Sequence, residues 1–201
     1  MAIEYLLAAF EIWGILICSG IGIYFFVVRK INNRADIVMC IMQFVTAATL
    51  TFDVGVVISE GVDEPWAKIV FKGSMIATML LQYLMVALFV GFIKYLARAG
   101  KTSTVIATFT YYFAAGCAIV SIISAKYTNW YYFIDEENVY HRMPYYNVAL
   151  ILIAVLYILV ITQIIVCAKR LLIKQIISLF LYVTIPVIMV GREFWSGIDQ
   201  W

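Results

Sequence analysis

The sequence predicts an all-α integral membrane protein: six transmembrane helices, with a short extracellular β-hairpin between the fourth and fifth. Three observations predict it. The chain is 65% hydrophobic with a mean hydropathy of +0.99, far above a soluble domain. Its apolar residues fall into runs at roughly 5–28, 36–59, 70–95, 103–125, 145–168 and 171–191, each close to the ~20 residues a bilayer-spanning helix needs. The basic residues are sorted by break. Arg29, Lys30 and Arg34, then Lys94, Arg98 and Lys101, then Lys169, Arg170 and Lys174 occupy the first, third and fifth breaks. The second and fourth breaks are acidic on balance, with Glu60, Asp63 and Glu64 against Lys68, then Asp135, Glu136 and Glu137 against Lys126 and Arg142. Such alternation is the positive-inside pattern. It places the odd breaks in the cytoplasm and the N-terminus outside, in a multi-pass protein of the plasma membrane. Residues 1–201 form a single polytopic membrane domain, with little left over for a second.

The first run has no basic residue before it, only Glu4, so it reads as a retained helix rather than a cleavable signal. Cys18 follows Ile17, too large a residue for a lipoprotein cleavage site. The second run carries Asp53, and the few Gly and Pro interruptions within spans, Gly55, Gly73, Gly91, Gly116 and Pro186, do not fall at matching positions in two halves. Inverted repeats of the transporter type are not evident. Thr102 or Ser103 suits the N-cap of the fourth helix. After it, Trp130 to Ile134 is a β-favouring aromatic run, Asp135 to Asn138 a polar turn, and Val139 to Arg142 a second strand. Pro144 then opens the fifth helix. Ala168-Lys169-Arg170-Leu171 barely turns the chain, which makes the fifth and sixth helices antiparallel neighbours. Gly191 to Trp201 reads as a loop leading into a further helix.

Polar residues within the spans carry the functional argument. Glu11 and Asp53 each lie about 10 Å below the outer ends of their helices at ~1.5 Å per residue. Ionisable residues at such depth usually face a partner or a water-filled cavity. Two at one height suggest an outward-opening pocket, completed by Lys72 and Arg192, with Trp13, Tyr131 and Tyr132 as its apolar wall. The competing uses are structural, salt bridges from Asp53 to Lys72 or from Glu11 to Arg192, or protonation of either acid by its apolar surroundings. Gln43, Thr78, Gln82, Tyr111, Tyr112, Asn147 and Tyr182 either line an interior cavity or bond between helices; Gln163 is read as packing. Trp13, Trp66, Trp130, Trp195 and Trp201 all map to the outer side, where indole rings favour the headgroup level.

Catalytic readings find no support. His141 is the only histidine, so no His pair can hold metal or haem. There is no Ser-His-Asp set at depth and no phosphate loop. Cys18, Cys40, Cys117 and Cys167 all fall within spans, without zinc spacing or an outward disulfide pair. No cofactor is called for, and a net charge of +2 argues against nucleic acid.

The stretch Tyr131-Tyr-Phe-Ile-Asp-Glu-Glu-Asn-Val-Tyr-His-Arg, followed by an apolar helix, resembles the extracellular loop of a membrane sensor region. So does Asp53 late in its span, followed by Ser59-Glu60-Gly61. That region precedes the output domains of bacterial, mainly Firmicute, signalling proteins such as diguanylate cyclases and histidine kinases. The resemblance implies a seven-helix bundle with its N-terminus outside, of which this chain holds the first six helices. It implies a ligand-sensing receptor module that binds a small extracellular molecule and signals to a cytoplasmic output domain. The two acids favour an amine or another cation. Its partners are then the bilayer, a small-molecule ligand and optionally a second copy of itself. The alternative is a six-helix substrate-binding subunit of a small-molecule transporter; a third reading is a structural or assembly subunit.

Overall fold

The computed structural model describes residues 2–27, 33–125, 130–135, 139–143 and 145–198. Arg29, Lys30, Lys126, Glu136, Glu137, Pro144 and Trp201 lie outside them, as do the side chains of Glu4, Arg142, Arg192 and Trp195. The chain is nearly all helix. It runs through α1 (Ala2–Val27), α2 (Arg34–Ser59), α3 (Pro65–Leu96), α4 (Lys101–Ile123), α5 (Tyr146–Cys167) and α6 (Ile173–Ile198). Among the described residues, α1 to α5 are each long and apolar enough to cross a membrane, and α6 adds a shorter apolar stretch, Ile173–Thr184. Between α4 and α5, β1 (Tyr132–Ile134) and β2 (Tyr140–Arg142) pair antiparallel, with Phe133 opposite His141.

Local chemistry sets the helix ends. The Asn33 side chain accepts from Asp36 N–H at 2.9 Å and caps α2. Pro65 stands in the first turn of α3, where its missing N–H costs nothing. This starts α3 five residues before the apolar run at 70. The chain leaves α3 through Arg98 at a φ of 45°, the left-handed position that usually holds glycine after a helix. Gly100, rather than Thr102 or Ser103, is the N-cap of α4. The Ser103 hydroxyl is engaged elsewhere, accepting from Gln163 Nε2 at 2.5 Å. The stretch from Gly191 to Ile198, read from sequence as a loop, continues α6 as helix.

A bilayer leaves no water to satisfy polar groups, so in-span hydroxyls bond to their own helix. Thr46, Thr49 and Thr51 each donate to the carbonyl four residues back, at 2.8 to 2.9 Å.

The buried core lies among α3, α4 and α5, where Val90, Ile93, Ala107, Leu156 and Ile164 are fully enclosed. α1 packs on α2, α2 on α3, and α6 chiefly on α5. Large apolar side chains cover the outside, among them Phe10, Ile69, Val105 and Ile158. That surface suits lipid and would be untenable in water. The N-terminal end of α2, the C-terminal end of α3 and the start of α6 lie at one end of the bundle, which carries Arg34, Lys94 and Lys174.

Candidate functional site

Glycines set the register between α1 and α2. A β-carbon on Gly14 would stand 2.8 Å from Leu50 Cδ1, and one on Gly22 would stand 3.0 Å from Phe44 Cζ. The helices run antiparallel. Glu11, three residues before Gly14, therefore meets Asp53, three residues after Leu50. Glu11 Oε2 is enclosed by protein and has no hydrogen-bond partner among the described residues.

The α3 side is built in the same way. A β-carbon on Gly55 would come within 2.6 Å of Ser74 Oγ, so α2 and α3 approach closely there. One turn along α3 from Ser74, Thr78 donates to Asp53 Oδ1 at 3.0 Å. Three helices thus converge on two carboxylates. One carboxylate oxygen is held by a hydroxyl, and another, enclosed, is held by none of the described residues. Two acids side by side at membrane depth oppose each other's ionisation, and a proton or another positive group between them relieves that opposition.

The remaining residues expected at this site do not join it. Lys72 is exposed, and Asp53 takes its bond from Thr78 instead. Trp13 is 65% exposed and faces outward from the bundle. The Arg192 side chain lies outside the described residues. Tyr131 and Tyr132 are buried, against Met75 and Met79 of α3 and Ala149 of α5. Met79 follows Thr78 directly, and neighbouring helix positions point about 100° apart. Met75 of the same cluster stands three residues before Thr78, on the same side of the helix, so the tyrosines pack beside the face of α3 that meets Asp53. Of the residues expected at one pocket, Glu11 and Asp53 are brought together between α1 and α2, and Tyr131 and Tyr132 pack together between α3 and α5.

The aromatic place has its own geometry. Tyr131 N–H donates to Ser124 Oγ at 3.1 Å, and Met143 N–H donates to the Tyr131 carbonyl at 3.1 Å. The Trp130 and Tyr145 rings lie 6.0 Å apart. Together with Val120, Tyr131, Val148 and Leu152 they line an apolar cavity of about 300 Å³ between α4 and α5. Asp135 ties the strand connection: its Oδ1 accepts from Val139 N–H at 2.8 Å and its Oδ2 meets His141 Nε2 at 2.6 Å. Burial pushes the Tyr131 hydroxyl above its ordinary pKa and raises that of Tyr132 to about 12. Both stay neutral at physiological pH.

The uncharged polar residues divide. Thr78 bonds between helices. Gln82, Tyr111 and Tyr112 are exposed, and Asn147 is half-buried. Gln43 and Tyr182 do line a cavity, but at the basic end, together with Lys174, Gln175 and Ser178 of α6. Sequence reasoning passed over this α6 set. Its signal is a polar stripe at 174, 178 and 182, a helical spacing of four. Gln163 is fully buried, as packing requires, and bonds α5 to α4 through Ser103. Among the described residues no group of three metal-ligating side chains assembles.

No family model, curated protein or solved structure matches this chain.

Proposed function

We propose that this chain is the sensing region of a membrane receptor. In this reading the basic end faces the cytoplasm, and six helices, the first six of a seven-helix bundle, cross the plasma membrane with the β1–β2 hairpin outside. A small extracellular cation, an organic amine by preference, binds at Glu11 and Asp53. A cytoplasmic output domain reads the result. The observation that carries the proposal is the enclosed Glu11 Oε2 beside Asp53, unpartnered among the described residues. A carboxylate held this way is costly in a bilayer unless something positive completes it. A ligand that completes it favours the helix arrangement in which the two acids face each other, through its differential affinity for the two states.

The test is thermal unfolding in nanodiscs against a panel of primary and quaternary amines. The wild type should gain stability with at least one amine, in proportion to its concentration over Kd. Glu11→Gln and Asp53→Asn should each abolish that gain while remaining folded. If the shift persists in both variants, the acid pair is not the site.

A further inference from the structure

A cavity at the basic end shares no lining residue with the acid pair. It measures about 440 Å³, within the ~300–1,000 Å³ range of ligand pockets. Three helices form it at matching depth. Met39, Met42 and Gln43 lie in the first half of α2, Phe89 to Leu96 at the end of α3, and Lys174 to Tyr182 at the start of α6. From Lys174 to Tyr182 is eight residues, or about 12 Å along the helix. The cavity therefore runs from the membrane surface toward the bilayer middle. It is the gap that α6, leaning on α5, leaves against α2 and α3.

Its chemistry changes with depth. At the mouth stands Lys174, the single charged residue among the described residues of the lining, with no carboxylate among them. Beside it, Gln175 Oε1 accepts from Leu172 N–H at 2.9 Å, which leaves its amide N–H₂ to donate outward. Ser178 bonds back to the Lys174 carbonyl at 2.9 Å. Below them the walls are Met39, Met42, Phe92 and Leu179, flexible thioethers and apolar faces that adapt to a chain. The Tyr182 ring, stacked 4.8 Å from Phe89, stands at the deep end with Gln43. A cationic rim over an apolar shaft, opening at the surface of the bilayer, matches one molecule type.

We infer that this cavity takes one acyl chain of an anionic lipid, with the lipid headgroup on Lys174 and Gln175. An apolar gap at this depth excludes water and has lipid as its nearest solvent. Lys174 makes the choice among lipids, since basic pockets between transmembrane helices hold anionic headgroups.

The experiment uses the full chain in nanodiscs containing phosphatidylglycerol with a photoactivatable diazirine in one acyl chain. After irradiation, adducts are mapped by peptide mass spectrometry. They should concentrate on 39–43, 89–96 and 174–182, above the level on the exposed Phe109–Tyr112 face of α4. Lys174→Gln should reduce them about fivefold, the factor one such charge near the surface is worth. Phosphatidylcholine with the same diazirine should label the wild type at that lower level. Ser178→Trp, which fills the shaft and keeps Lys174, should remove the adducts. Even labelling of all outward faces would overturn the inference. So would equal labelling by the two lipids, or a Lys174→Gln variant that is folded and unchanged.

Discussion

Asp53 and Tyr132 show how single side chains are handled at two levels of this protein. Asp53 sits inside the bundle and holds one hydroxyl, that of Thr78, at 3.0 Å. It is therefore oriented before any ligand arrives, with its second oxygen left for something else. Glu11 was legible from sequence because its distance from the helix end equals that of Asp53; Thr78 was legible only as a polar residue at depth. Nothing in the sequence said that Thr78 and Met79 would serve two different neighbours. Tyr132 makes a prediction about pH. Its hydroxyl ionises near pH 12 in the folded chain and near pH 10 when unfolded. An acid with a raised folded-state pKa contributes stability that is complete below pH 10 and is lost as pH climbs toward 12. Tyr132→Phe keeps the ring and removes that dependence. Unfolding temperatures recorded from pH 9 to 11.5 should fall less steeply for Tyr132→Phe than for the wild type, whatever the baseline difference between them. An unchanged slope would mean that another group sets the alkaline limit.

Helix pairing rests on a few close approaches. Gly55 admits Ser74 at a distance no β-carbon allows, and the acid pair lies within one turn of that point. Gly55→Val should force α2 and α3 apart and destabilise by about 1–3 kcal/mol, the usual cost of overpacking. Adding Ser74→Gly should recover much of the loss in thermal unfolding. A Gly55→Val protein with wild-type stability would show that the approach is not constrained. The helices themselves were readable because the bilayer demands long apolar runs. Their ends were less so. Pro65 starts α3 before hydropathy turns positive, and Gly191 fails to stop α6 because a glycine inside a helix weakens it without breaking it. The α4 cap moved to Gly100 because Ser103 bonds Gln163, sixty residues later, a contact that no local pattern encodes. The packing of Tyr131 and Tyr132 against Met75 and Met79 has the same origin. Depth along a helix is written in the sequence, whereas the face that packs against each neighbour is settled by tertiary contact.

Across the whole molecule, the basic residues at one end and the acidic ones at the other define a direction through the bilayer. The four native cysteines lie in helices within the bundle, so a cysteine-free background is a clean start for testing that direction. Asp63→Cys and Lys101→Cys place single thiols at opposite ends. A membrane-impermeant maleimide added to intact cells should label the Asp63→Cys protein and reach the Lys101→Cys protein only after permeabilisation. The reverse pattern would invert the proposed topology. α3 runs between the two ends as one helix of 32 residues, about 48 Å long, well beyond the ~30 Å hydrocarbon core. It carries Thr78, which holds Asp53, and Phe89, which walls the basic-end cavity. Eleven residues, about 16 Å of continuous helix, join the two. If a cation at the acids and a lipid at Lys174 prefer different settings of that rod, their affinities are bound by linkage. The factor by which an amine changes lipid labelling must equal the factor by which the lipid changes amine affinity. Swapping phosphatidylcholine for phosphatidylglycerol in the nanodisc should then shift the amine Kd, so the composition of one leaflet would set the sensitivity of a site on the other side of the membrane.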